Sequence, residues 1–253
     1  MNTVLKITVY AFSAFLFLMF LLAAWLWYEF EKVSATQSVY HDFFKTSVES
    51  INLKKDSQEP CRFQYKFNKA WFGATHVHTS ASADARAFGT RVSVAEAYSY
   101  GSGNSIEIDI EGNSSSALTV SRKNKLDFMA VTDHAEYLGE TRLCYNKSSP
   151  AHSSLVCSLF RGDTRLPVSD SLQSMIRLFS AVIFGLARPL RVCGKDGTLC
   201  LKEADTAWKN NQIETERWND HSEECLFTTF HGYEYTLAED ASNLHRNVIF
   251  ANS

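Results

Sequence analysis

The longest apolar run comes first: Ile7 to Tyr28 (ITVYAFSAFLFLMFLLAAWLWY) is 22 residues without a charge. At about 1.5 Å per residue, a helix of that length crosses a hydrocarbon core of roughly 30 Å. A cleavable signal sequence has a shorter apolar stretch that ends in small residues. This run ends in Trp25, Trp27 and Tyr28, residues favoured at a membrane–water interface. The pattern predicts one uncleaved transmembrane helix over 7–28, through which the chain would be held in a membrane. Lys6 and the amino terminus precede the run, and Glu29, Glu31 and Lys32 follow it. This slight positive-inside bias places residues 1–6 in the cytoplasm and the bulk of the chain outside. Residues 29–69 then read as a polar stalk. Tyr40, Phe43, Phe44 and Val48 recur there at helical spacing, and Pro60 ends the helix.

Beyond the stalk the pattern alternates between strands and helices. Ala70–Thr79 (AWFGATHVHT) reads as a short buried strand. Ser93 and Glu96 form a capping-box pair that opens a helix, and Gly101 and Gly103 stop it. Ile106–Glu111 alternates with period two and Ala117–Ser121 returns, which predicts a β-hairpin turning at Gly112-Asn113. Leu126–Thr132 is a continuous apolar run of strand length leading into Asp133-His134. Leu178–Ala187 is apolar but only ten residues long, too short for a span, and reads as a buried or interfacial helix. Leu201, Ala204 and Trp208 fit a helix continuing towards Trp218. Two more strand-like runs, Leu226–Phe230 and Asn247–Ala251, lie on either side of Gly232–Thr236. Strands that alternate with helices and end in polar residues predict an α/β barrel, with its site at the C-terminal ends of the strands.

A net charge of −3, with Lys and Arg scattered along 253 residues, argues against a nucleic-acid binder, which needs a clustered basic surface. The six cysteines agree with an oxidising compartment, and none forms a C-x-x-C pair. Cys144 with Cys157 and Cys193 with Cys200 are nearest in sequence. Six cysteines allow fifteen pairings, however, and spacing alone selects none.

His76 and His78 stand at i and i+2, so on an extended strand their imidazoles share one face and can grip one ion. Asp84 could add an oxygen ligand from the next loop. His134 ends a strand beside Asp133, and Glu234 and His245 follow strand-like runs. Each has an ordinary reading alone: turn residue, surface carboxylate or satisfied core histidine. Together they form a mixed imidazole and carboxylate set that suits Zn, Mn or Fe rather than Ca. Two or three such ions would bind a phosphate or similar ester and lower the pKa of a bridging water, the nucleophile.

The blocks WFGATHVHTSASADARAFGT, LDFMAVTDHAEYLG, FTTFHGYEYT and NLHRNVIF resemble, in this order, those of the bacterial domain-of-unknown-function family 3604. That family looks like a branch of the PHP (polymerase and histidinol phosphatase) superfamily. The resemblance implies a partial PHP-like (β/α) TIM-type barrel over 70–253, with a Cys-containing insertion at about 141–200, all preceded by the transmembrane helix. It also implies a trinuclear centre and phosphoesterase-type chemistry on a small phosphate ester or similar substrate. By motif match His76 and His78 would hold one ion, and Glu234 would bridge it to a second bound by His245. Asp84 and His134 would hold the third, and Asp133 would orient a ligand. Ala74 stands where the family carries an acidic residue. The resemblance also sets a later His and an Asp-x-His beyond Ser253, so weak metal binding and poor turnover are expected of the chain as given. The span and the resemblance together predict a bacterial inner-membrane protein with its bulk in the periplasm. The competing reading is a non-catalytic membrane-anchored interaction domain that keeps a degenerate metal site.

Overall fold

The computed structural model describes residues 10, 12–21, 24, 69–109, 117–164, 167–187, 190–237 and 244–250. The chain divides into two units, Met1–Ile51 with Leu186–Arg188, and Asn52–Gly185 with Pro189–Ser253. In the first unit Tyr10, residues 12–21 and Ala24 are helical. Among the described residues no helix is long and apolar enough to cross a membrane. This overturns the single-pass anchor over 7–28, and with it the inner-membrane, periplasmic placement. Absence of charge is a condition for a span, but the span also needs a helix of sufficient length. The rest of the run and the stalk at 29–68 lie outside the described residues.

The second unit holds all six candidate ligand residues. Strand β1 (Gly73–Ala74) is followed by helices α1 (Ala83–Ala87) and α2 (Val94–Gly101). The capping box that starts α2 forms as expected: the Ser93 hydroxyl accepts from the Glu96 N–H, and the Glu96 carboxylate accepts from the Ser93 N–H. Strands β2 (Ile106–Asp109) and β3 (Ala117–Val120) pair antiparallel, with Ile106 opposite Val120. The expected turn between them lies outside the described residues. Strand β4 (Phe128–Ala130) follows, then helices α3 (Leu138–Tyr145), α4 (Leu155–Arg161), α5 (Asp170–Ala187), α6 (Leu190–Cys193) and α7 (Thr198–Trp218). The chain ends its described path in β5 (Thr228–Phe230), β6 (Gly232–Leu237) and β7 (Leu244–Ile249).

β1, β4 and β5 form a parallel sheet in that order, with Ala74 opposite Met129 and Met129 opposite Thr229. The α/β alternation read from the pattern is therefore present, but the barrel is not. Among the described residues the sheets are one of three strands and two of two strands, and none closes. The reason lies after β5. Only His231 separates β5 from β6, and β6 folds back on β7 as an antiparallel hairpin instead of crossing over a helix. A (β/α) barrel needs eight parallel strands, each followed by a helix. The strand expected over 70–79 shrinks to the two residues of β1, and Thr75–Thr79 run on irregularly.

Two apolar clusters support the site. Val94, Ala97 and Tyr98 of α2 pack with Leu126, Met129, Val131 and Phe227 over one face of the parallel sheet. The fully buried Tyr98 hydroxyl accepts from the Val131 N–H at 3.2 Å and meets the Thr215 hydroxyl at 3.0 Å, tying α2, β4 and α7. Gly73 lets β1 lie close against its neighbour, since a Cβ there would meet the Phe128 ring at 2.3 Å. The other cluster gathers Ala83, Ala87, Leu143, Phe160 and Val192 around the disulfides Cys144–Cys157 and Cys193–Cys200. These join the pairs nearest in sequence and give the otherwise unreadable segment 141–200 its core.

Candidate metal centre

The sheet sets the first two imidazoles beside the third. Past β1, Thr132 N–H donates to the Val77 carbonyl at 2.8 Å, and Val77 N–H donates to the Thr132 hydroxyl. His76 and His78 thereby lie next to the end of β4. Past β4, His134 forms a parallel bridge with Glu234. Glu234 N–H donates to the Asp133 carbonyl at 3.0 Å, and Ala135 N–H donates to the Glu234 carbonyl at 2.9 Å. In the β6–β7 hairpin His245 lies opposite Thr236, two residues along from Glu234 and on the same face.

The result is a file of four imidazoles around one carboxylate. Ring centroids are 5.0 Å apart for His76 and His78, 4.8 Å for His78 and His134, and 5.3 Å for His134 and His245. Glu234 is only 2% exposed. Its Oε2 lies 3.0 Å from His76 Nε2, 2.5 Å from His78 Nε2 and 3.8 Å from His134 Nε2. Its Oε1 lies 3.1 Å from His245 Nδ1. Asp84, in the first turn of α1, reaches His78 Nδ1 at 3.0 Å and His134 Nε2 at 3.6 Å. All six residues named from the sequence therefore meet in one place. The side chains of His76 and His245 are 59% and 43% exposed, so the cluster is buried on one side and open on the other.

The donor set fits divalent ions. Three groups in the cluster have ligand atoms all within 4.8 Å of one another: His76, His78 and Glu234; His78, Asp84 and His134; and His134, Glu234 and His245. Ligands at about 2.0–2.2 Å from one ion sit roughly 3–3.5 Å apart. Most of the contacts above fall in or near that range.

The charges in the cluster are strongly coupled. Burial opposes the charged form of His134, but Asp84, Glu136 and Glu234 outweigh it and push its pKa up to about 10. His78 is raised in the same way, against burial and the neighbouring His134, by Asp84 and Glu234. Burial works against ionised Asp84 too, yet hydrogen bonds from His134, His78 and Ser82 hold it well below the usual carboxylate range.

Asp133 bonds the backbone beside His78 and no imidazole directly. Its buried carboxylate accepts from the Thr79 N–H at 2.5 Å and the Thr79 hydroxyl at 2.7 Å, so it grips the segment that carries His78 and leaves the imidazoles to other partners. Burial pushes its carboxyl up. Ala74 packs beside the α2 cluster. Four residues at the site were not singled out from the pattern. The Ser82 hydroxyl donates to Asp84 and accepts from the His134 N–H. Glu136 and Thr236 stand behind His134. Asn247 donates to the Thr75 carbonyl at 2.9 Å, tying β7 to the His76 segment. Thr236 and Asn247 follow Glu234 and His245 by two on the same strand faces, a period-two signal that could have found them. Ser82 and Glu136 lie off the strands and gave none. His152 meets the Cys144 carbonyl, while His221 and His231 share Glu216; His41 lies outside the described residues.

No curated protein and no solved structure matches the chain. One family model does, over residues 66–253, which take in every residue of the cluster and well over half of the chain. The chain therefore belongs to the family described as "Protein of unknown function (DUF3604)".

Proposed function

We propose that the cluster around Glu234 is a divalent metal centre, and that the chain is a metal-dependent hydrolase of the phosphoesterase type. The observation that carries the reading is Glu234 itself. A carboxylate only 2% exposed faces imidazole nitrogens through both of its oxygens. Buried carboxylates need a cation or several donors, and imidazole lone pairs converging on one are the usual surroundings of a divalent ion. His76 and His78 with Glu234 would hold one ion, and Glu234 with His134 and His245 a second. Asp84 and His134, beside His78, would hold a third. Zn, Mn or Fe suits this mix of nitrogen and oxygen. Such ions would polarise a phosphoryl oxygen and acidify a water to serve as nucleophile.

The chain's own residues supply the rest. Thr79 and Asp133 close the buried side. His76 and His245 stand at the exposed rim, which leaves that side open to a small anionic ester. Kinship with the PHP superfamily is supported by the order His-x-His, Asp-His, Glu and His along the chain.

The test is hydrolysis of bis(4-nitrophenyl) phosphate and a panel of phosphate monoesters with Mn or Zn, against chelated protein and His78→Ala. Turnover is expected only with metal, and the variant is expected to lose more than about a hundredfold, since even removing a ligand's outer partner costs 10–100-fold. Metal uptake without turnover on any ester would instead favour a non-catalytic domain with a degenerate metal site.

A further inference from the structure

Glu136 belongs to none of the three ligand groups, yet it lies directly behind one of their members. His134 points its Nε2 towards Asp84 Oδ2 at 3.6 Å and Glu234 Oε2 at 3.8 Å, where ions would sit. Its Nδ1 points the other way, 3.0 Å from the Thr236 hydroxyl and 3.5 Å from Glu136 Oε2. A neutral imidazole has one N–H, and its position is set by the group facing each nitrogen. An ionised carboxylate can only accept. One behind Nδ1 draws the proton there and leaves the Nε2 lone pair free.

Glu136 is itself held in place. Its Oε1 accepts from the Thr236 N–H at 2.9 Å, on the strand that carries Glu234. Its Oε2 is buried with no hydrogen-bond partner among the described residues. A buried oxygen of that kind needs a donor, and His134 Nδ1 is the nitrogen that stands beside it. The backbone turns there through Tyr137, whose φ of 65° lies in the left-handed region that bulky residues rarely adopt. Strain of this sort persists where the surroundings fix it, and it clusters at functional sites.

We infer that Glu136 is a positioning residue of the metal centre, holding His134 as the Nδ1–H tautomer with Nε2 presented to the ions. The inference rests on the metal-centre reading. It is tested by cobalt titration of the wild-type chain, Glu136→Gln and Glu136→Asp, with thermal unfolding in chelator as the check on folding. Gln keeps an oxygen for the Thr236 N–H but presents an NH2 donor to Nδ1, which drives the ring proton onto Nε2. Its cobalt affinity is expected to fall about 10–100-fold, with a weakened visible d–d band, while unfolding in chelator stays cooperative at a midpoint that leaves the chain folded at the titration temperature. Asp keeps an anionic acceptor and is expected to recover a large part of the loss. Long-range 1H–15N spectra of the zinc-loaded wild type should show His134 protonated at Nδ1. Equal cobalt affinity in wild type and Glu136→Gln, or a proton on Nε2 in the wild type, overturns the inference and leaves the metal centre standing. A wild-type chain that takes up no cobalt overturns both.

Discussion

Replacing Glu234 by glutamine is expected to cut zinc or manganese affinity by well over about a hundredfold. Among the described carboxylates Glu234 alone faces His76, His78, His134 and His245 together, and it belongs to two of the three ligand groups. An amide of the same shape retains the packing but presents one neutral oxygen and one donor to nitrogens that must themselves stay unprotonated. Losing the outer partner of a ligand costs about 10–100-fold, so losing a shared ligand is expected to cost more than that. Equilibrium dialysis against zinc and manganese checks this. A Glu234→Gln chain that retains wild-type metal content would show that this carboxylate is not a shared ligand.

Acidity is expected to move metal affinity and metal-free stability in opposite directions. In the metal-free protein His134 is pushed up to about 10 by its anionic neighbours, and His78 is also raised. A folded-state pKa above the unfolded value of about 6.5 means that the charged imidazole stabilises the fold fully below about 6.5. That contribution is lost as pH rises through about 10. An ion requires the same imidazoles neutral, so its binding must displace their protons. Between about pH 7 and 9 the affinity is therefore expected to climb by roughly tenfold per unit for each proton displaced, while the unfolding midpoint in chelator falls. Cobalt titrations and thermal scans across that range decide it. An affinity that does not change with pH would show that the imidazoles are not the ligands.

The site was more legible in the sequence than the fold around it. His76 and His78 at i and i+2, and His134 and Glu234 beside apolar strand runs, carry local signals that survive whatever the strands later pair with. The pairing itself is non-local. Nothing in the run Leu226–Thr236 shows that the chain bends at His231 and makes β6 half of an antiparallel hairpin, so a parallel barrel was the natural extrapolation. The apolar run at 7–28 was misread as a span for a related reason, because composition gives the solvent a helix would tolerate and not the helix's length; among the described residues no helix is long and apolar enough to cross a membrane. Glu136 and Ser82 were unreadable because loops have no period from which a side chain's direction can be read. Tyr137 in a left-handed conformation, beside the Glu136 that turns back to His134, is a turn that a non-glycine sequence does not announce. The disulfides sit between these cases: the nearest cysteines do pair, but only the packing around Leu143, Phe160 and Val192 selects that pairing from the alternatives.

Ions held among these six side chains would be visible in anomalous diffraction from crystals soaked in zinc or manganese. Peaks are expected between Glu234 Oε2 and the Nε2 atoms of His76 and His78, and between Glu234 and His245, each about 2.0–2.2 Å from its ligands. Crystals that show ordered side chains throughout the cluster, and no anomalous peak within reach of Glu234 at saturating metal, would contradict it.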